Sequence, residues 1–198
     1  AGDLLNNNDQ GSPELIKVCV DFINQFSSIM PVIVIAGNHD YNHVNYQTWF
    51  DVIDIACNKN VYFLKNSGYY TIKSMSNSIL VGFQSITDNY YSFFYNNQDV
   101  KKVMKDNNCS RSIALFHGNI TGSIINKKKW AYDESIYNLD TPNKDYNLNK
   151  AWVSDYDLVL LGHIHERQKI EPNCYYAGST IQRTFAESYD NHGGYLFN

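Results

Sequence analysis

Three short runs in this 198-residue chain put metal-ligating side chains directly after apolar segments, and a fourth has the form of a strand exit. They are Gly2-Asp3, Gly37-Asn38-His39-Asp40, Phe116-His117-Gly118 and Gly162-His163-Ile164-His165. Each is commonplace alone, because Gly-Asp usually marks a turn and a lone histidine is usually a satisfied surface or core group. Together they offer carboxylate, amide oxygen and imidazole, the mixed N/O donor set that suits Mn2+, Fe2+ or Zn2+. Two such ions about 3.5–4 Å apart need a bridging carboxylate and several further ligands. Asp3 is the natural bridge. In an extended strand a His-x-His pair would point its rings to opposite faces. On a turn just past the strand, His163 and His165 can instead reach neighbouring ions. His43 and His192 carry no such pattern and read as ordinary surface or core histidines.

The elements that must position these groups are legible in outline. Ser12-Pro13-Glu14 predicts a helix start, with Ser as N-cap, Pro in the first turn and an acid beside it. Leu15, Cys19, Phe22, Ile23 and Phe26 recur at helical spacing and are expected to form its buried stripe. Val32-Ile33-Val34-Ile35 is a β-branched run of the kind found in parallel strands buried on both faces. It ends at Ala36-Gly37, leaving Asn38, His39 and Asp40 on the loop beyond its carboxyl end, where active-site groups of open α/β sheets collect. A helix is expected over 46–57. Three short antiparallel strands follow over 61–64, 69–72 and 79–83, parted by Asn-Ser-Gly and Ser-Asn-Ser turn signals. Further expectations are a helix over 100–105, strands over 112–116 and 158–161, a polar loop or small insertion over 121–150, and closing strands over 175–178 and 194–197. This order predicts one layered α/β domain with some antiparallel sheet.

Composition narrows the function classes. Sixteen Lys and Arg against 20 Asp and Glu leave a net charge of −4, which excludes a globally basic nucleic-acid coat but not a local basic groove. A hydrophobic content of 43% and an aromatic content of 15% exclude a disordered chain. No apolar run approaches the roughly 18 residues of a membrane span. Cys19, Cys57, Cys109 and Cys174 show neither a CxxC pair nor zinc-finger spacing, so they are expected to be free thiols in a reducing, intracellular compartment.

Gly-Asp, Gly-Asn-His-Asp, His and Gly-His-x-His, in this order, resemble the calcineurin-like metallophosphoesterase superfamily across nearly the whole chain. The resemblance implies mixed β-sheets sandwiched by helices and two divalent cations, with Asp3 bridging them. It assigns Asn38, His117 and His163 to one cation and His165 to the other. It gives His39 the task of stabilising or protonating the leaving oxygen, with Asp40 holding His39 in place. The attacking group it implies is a hydroxide held between the cations. The family's first motif, Asp-x-His on a first strand ahead of Gly-Asp, does not occur before Gly2-Asp3 in residues 1–198. The expectation is therefore a single nuclease-type domain that lacks its first strand and a capping domain, with the missing motif upstream of Asp3.

The segment from Tyr176 to Glu187, followed by His192-Gly193-Gly194-Tyr195-Leu196, resembles SbcD-type DNA-repair nucleases of phage and viral style, although Ala186 stands where Gly is usual. That narrower resemblance implies 3′-to-5′ exonuclease and single-strand endonuclease action on DNA, usually with Mn2+; Fe2+, Mg2+ or Zn2+ are the alternatives. It also implies an SbcC-type coiled-coil ATPase as partner and leaves room for a homodimer. Local positive charge for DNA is sought first in Lys127-Lys128-Lys129-Trp130, where cations and an aromatic could meet phosphate and base. A solvated lysine run is an equally good reading of that segment. Arg167, Lys169 and Arg183 are the second choice. Two alternatives stay open: a phosphatase or cyclic-nucleotide phosphodiesterase on the same fold, and a scaffold whose site has decayed.

Overall fold

The computed structural model describes residues 2–5, 12–40, 49–73, 77–88, 92–95, 99–125, 130–131, 147–148, 150–182, 187 and 191–197. Its first helix, α1 (Pro13–Ser27), starts as expected: the Ser12 hydroxyl accepts from the Leu15 amide at 3.2 Å, Pro13 opens the first turn and Glu14 follows. The buried face differs from expectation. Cys19, Ile23 and Ser27 are buried, whereas Phe22 and Phe26 are 51% and 47% exposed and Leu15 also faces outward. Five apolar residues at helical spacing are more than one narrow face can hold, and only Cys19 and Ile23 of them meet the sheet beneath. The two phenylalanines instead pair edge to face at 5.0 Å.

Strand β1 (Val32–Ile35) packs on both faces, as its continuous β-branched run predicted, although only Ile35 is fully buried and the other three residues are partly exposed. Val32 and Val34 point towards α1 and α2 (Phe50–Ala56), packing with Leu5, Cys19, Ile23, Phe50 and Ile53. Ile33 and Ile35 point the other way, onto a second sheet. The partner of β1 is β2 (Val61–Leu64), which runs parallel to it in register Val32 with Val61. The expected antiparallel group of three strands is thus corrected. Only β3 (Gly68–Lys73) and β4 (Ser78–Gln84) pair antiparallel, and β2 belongs to the other sheet because α2 carries the chain back over β1.

The larger sheet has six strands in the order β11-β12-β10-β5-β4-β3. Its members beyond β3 and β4 are β5 (Arg111–His117), β10 (Leu158–Gly162), β11 (Gln168–Glu171) and β12 (Cys174–Tyr176). β6 (Asn119–Ile120) directly precedes the stretch expected to be a loop or insertion, and the short pieces β7 (Ile124–Ile125), β8 (Trp130–Ala131) and β9 (Asn147–Leu148) lie within it. Period-two alternation sorts the sheet's two faces. Val81, Phe83 and Leu115 meet β1 and β2, while Leu80, Ala114, Phe116, Val159, Leu161 and Tyr176 meet the opposite layer. That layer consists of α3 (Ser92–Tyr95), α4 (Val100–Asp106) and a 3-10 turn (Ala151–Asp155). Within it Phe94 stacks on Trp152 at 4.1 Å and meets Tyr156 edge to face. The architecture is helices, two-stranded sheet, six-stranded sheet, helices.

For the site, the decisive feature is direction. β4, β5, β10 and β12 are mutually parallel, so their carboxyl ends share one edge of the sheet. Two corrections complete the comparison. β11 was not anticipated, because Gln168-Lys169-Ile170-Glu171 lacks an apolar run; it forms by antiparallel pairing with β12. Residues 194–197, expected as a strand, are not one. Tyr195 and Phe197 are instead held by ring contacts, 5.1 and 5.3 Å from Tyr175, while Leu196 between them is exposed. All four cysteines are free thiols. Among the described residues no helix is long and apolar enough to cross a membrane.

Candidate metal centre

The register of the parallel strands builds the site. His117 ends β5 directly beside Gly162 at the end of β10, so the next residue, His163, turns over the same edge. His163 does so with φ +91, a conformation that L residues rarely adopt. Asp3 arrives from the N-terminal segment, also at positive φ (+56), and Asn38 arrives on the loop after β1.

These groups converge. One donor atom each from Asp3, His117 and His163 lies within 4.8 Å of the others. Asn38 joins them through its side-chain oxygen, 3.0 Å from His117 Nε2 and 2.9 Å from His163 Nδ1. His117 Nε2 is 3.4 Å from Asp3 Oδ2, and the His39 amide donates to Asp3 Oδ1 at 2.9 Å. Two glycines permit this approach. A Cβ on Gly37 would run into the Asp3 carboxylate and the His117 ring, and a Cβ on Gly2 would meet His117 and Gly37.

Electrostatics suit a cation. Burial works to raise the Asp3 carboxyl, but His117 and the His39 amide outweigh it and hold the group below the ordinary carboxylate range. Burial, with His117 alongside, pushes His163 down to about 4, so its ring is neutral near pH 7 and carries a lone pair for a metal. A carboxylate, an amide oxygen and two imidazoles fit a divalent ion of mixed N/O preference. That fit is a matter of donor chemistry and distance, and both are met.

The remaining candidates are placed as follows. His165 lines the same cavity of about 320 Å3 as Asp3, His117 and His163, with residues 177–181 forming another wall. It stands outside the tight donor cluster, and its Nδ1 lies 3.0 Å from Glu187 Oε1. His39 sits on the loop between Asn38 and Asp40. Asp40 is fully buried and accepts from the amides of Leu5 and Gly37 at 2.9 and 2.8 Å. Burial raises its carboxyl despite those amides. None of the hydrogen bonds described for Asp40 reaches the His39 ring, so it fastens the loop and the N-terminal segment together. Arg167 donates to the Gly194 carbonyl at 2.7 Å and lies 4.1 Å from the Tyr195 ring centroid, which ties it to the C-terminal segment. Lys169 lies over Tyr175. Lys127, Lys128, Lys129 and Arg183 fall outside the described residues.

Sequence reasoning did not single out Glu187 or the Tyr176 hydroxyl. Tyr176 donates to the Gly118 carbonyl at 2.8 Å and accepts from the Ile120 amide, bracing the turn that follows His117. Its sequence signals were a place in an apolar strand and at the head of the run ending at Glu187, so its burial was predictable where its partner was not.

The sequence is similar to that of several viral proteins. The chain is 28% identical over 210 residues to "Uncharacterized protein R555" of Acanthamoeba polyphaga mimivirus, a match covering 97% of this chain and 14% of that protein. It is 24% identical over 200 residues to "Putative phosphoesterase 244L" of invertebrate iridescent virus 6, covering 96% of the chain and 60% of the relative. It is 25% identical over 194 residues to "Putative phosphoesterase 078R" of invertebrate iridescent virus 3, covering 96% and 49%. The chain thus spans from 14% to 60% of the length of these relatives. A family model for calcineurin-like phosphoesterases matches residues 1–167, a stretch that takes in Asp3, Asn38, His117, His163 and His165. On that match the chain belongs to the calcineurin-like phosphoesterase family.

Proposed function

We propose that this domain is a metal-dependent phosphodiesterase acting on DNA, with exonuclease and single-strand endonuclease action of the SbcD type. The observation that carries the phosphoesterase part is the convergence of Asp3, Asn38, His117 and His163 at one sheet edge. Support for DNA as substrate comes from the run between Tyr176 and Tyr195, whose resemblance to SbcD-type nucleases extends beyond the metal motifs. By the same resemblance the partners are DNA and an SbcC-type coiled-coil ATPase, and the setting is a reducing, intracellular compartment.

In this reading Asp3, Asn38, His117 and His163 hold divalent cations, Mn2+ foremost, and His165 contributes from the far side of the cavity. Bound there, the cations supply neutralisation of phosphate charge and increased acidity of water. The chain's own groups do the rest. Asp3 stays ionised because His117 and the His39 amide favour its charged form. The same amide bond pins the loop that carries His39 against the metal centre, so its imidazole is available to stabilise or protonate the departing sugar oxygen. Asp40 acts one step back, by joining that loop to Leu5.

The test is release of nucleotides from duplex DNA with Mn2+ present, compared with His163→Ala. The expected result is Mn2+-stimulated release that the variant loses. DNA left intact while a small chromogenic phosphoester is cleaved would replace this reading with a phosphatase. Equal DNA cleavage by His163→Ala would remove the site itself from the argument.

A further inference from the structure

The segment after β12 returns to the metal centre and grips His165, a contact that no ligand motif contains. Glu187 is buried, with 7% exposure, although carboxylates are rarely buried without a partner. Its Oε1 lies 3.0 Å from His165 Nδ1, and its Oε2 accepts from the Ser179 hydroxyl at 3.4 Å. The Ser179 oxygen is in turn 3.0 Å from His192 Nδ1. The backbone follows the same path: the Ser179 amide donates to the His165 carbonyl at 3.0 Å, and the Gly193 amide donates to the Ser179 carbonyl at 3.2 Å. Gly178 makes this possible. It takes φ +79, and a Cβ there would meet the His165 carbonyl oxygen at 2.7 Å.

An imidazole that engages a carboxylate through Nδ1 has only Nε2 left to offer a metal. A histidine ligand whose other nitrogen is held by a carboxylate has both its tautomer and its ring plane set before the metal arrives, and its basicity is raised. We propose that Glu187 is the positioning residue for His165, fixing the proton on Nδ1 and presenting Nε2 to the cavity, with Ser179 and His192 steadying Glu187. This rests on the reading of His165 as a cation ligand. It also gives the C-terminal run a physical task beside DNA, namely completion of the metal centre from residues outside the four ligand motifs.

The contrast with His163 supports the assignment. His163 turns its Nδ1 to Asn38 inside the donor cluster, whereas His165 turns its Nδ1 away, to Glu187. The two rings of the His-x-His pair thus use Nδ1 for different partners, one inside the donor cluster and one outside it.

The experiment is calorimetric titration of Mn2+ into the metal-free protein, comparing wild type, Glu187→Ala, Glu187→Gln, His165→Ala and the Glu187→Ala/His165→Ala pair. Loss of such a carboxylate partner typically weakens metal binding about 10- to 100-fold, and Glu187→Ala should show a loss in that range. Glu187→Gln keeps an acceptor for the Nδ1 proton and should recover most of it. In the His165→Ala background, removing Glu187 should cost nothing more. Unchanged affinity in Glu187→Ala, or the same loss in both backgrounds, overturns the positioning role. If His165→Ala itself leaves Mn2+ binding untouched, the ligand reading of His165 fails, and this inference with it. A long-range 1H–15N spectrum of the wild-type protein adds a check that needs no variant to fold: a proton found on Nε2 of His165 refutes the proposal.

Discussion

At the scale of single residues, the site depends as much on side chains that are missing as on those that are present. Gly37 leaves room for the Asp3 carboxylate and the His117 ring. Gly37→Ala would put a methyl group into both, and the obstruction includes the Asp3 backbone nitrogen, which cannot rotate away. The expected outcome is a fall in Mn2+-dependent phosphodiesterase rate on the order of a hundredfold, the usual consequence of about 1 Å of misplacement. Steady-state rates at saturating Mn2+ check it, and wild-type turnover would show that the loop yields more easily than its contacts imply. Asp40 illustrates a different point. Its carboxylate was expected to steady His39, yet its described bonds bind backbone to backbone, from Gly37 to Leu5. Side-chain partners of a buried acid depend on which amides the fold leaves unpaired nearby.

At the scale of elements, α1 shows how a periodic pattern can be correct about the helix and wrong about its face. Ile23 is 4% exposed and its neighbour Phe22 is 51% exposed. Ile23→Ala should therefore cost about 2–5 kcal/mol of stability, as deletion of buried aliphatic groups does. Phe22→Ala should cost about 1 kcal/mol or less, since a half-exposed ring loses little on truncation. Urea midpoints of the two variants decide between the expected stripe and the observed one; equal losses would return Phe22 to the core. The parallel pairing of β5 with β10 is the element-level counterpart at the site. It brings His117 and Gly162 side by side, so two sequence-distant histidines meet at one sheet edge, where the Gly118 amide also donates to the Gly162 carbonyl at 3.3 Å.

At the scale of the whole molecule, protonation links the site to stability. The folded state lowers the proton affinity of His163 to about 4 from an ordinary 6.5. Between those values the unfolded chain binds the proton more tightly, so the stability tied to His163 is complete above about pH 6.5 and drains away as pH falls towards about 4. Asp40 acts in the opposite sense, because burial raises its carboxyl. Comparing metal-free wild type with His163→Gln isolates the histidine. The variant should lose less stability than wild type on going from about pH 7 to about pH 4.5, as read by urea denaturation. An identical slope in both proteins would mean that His163 is not held neutral by the fold.

Four motifs made the chemistry and the family legible from residues alone, because metal ligation needs particular atoms and three of the four motifs end apolar strands. The strands themselves were legible wherever an apolar run carried them, as in β1, β4, β5 and β10. β11 was not, because its pairing depends on a neighbour rather than on its own hydrophobicity. The number of layers, the transfer of β2 to the smaller sheet and the exposed face of α1 likewise depend on what lies opposite each element. Glu187 is the clearest case. The run that contains it carried a resemblance but no role for its carboxylate, and only the return of the chain past Ser179 brings that carboxylate to His165. Donor chemistry is local and can be read from a motif; the distances and partners that make it a site are long-range contacts, and those exist only once the chain has folded.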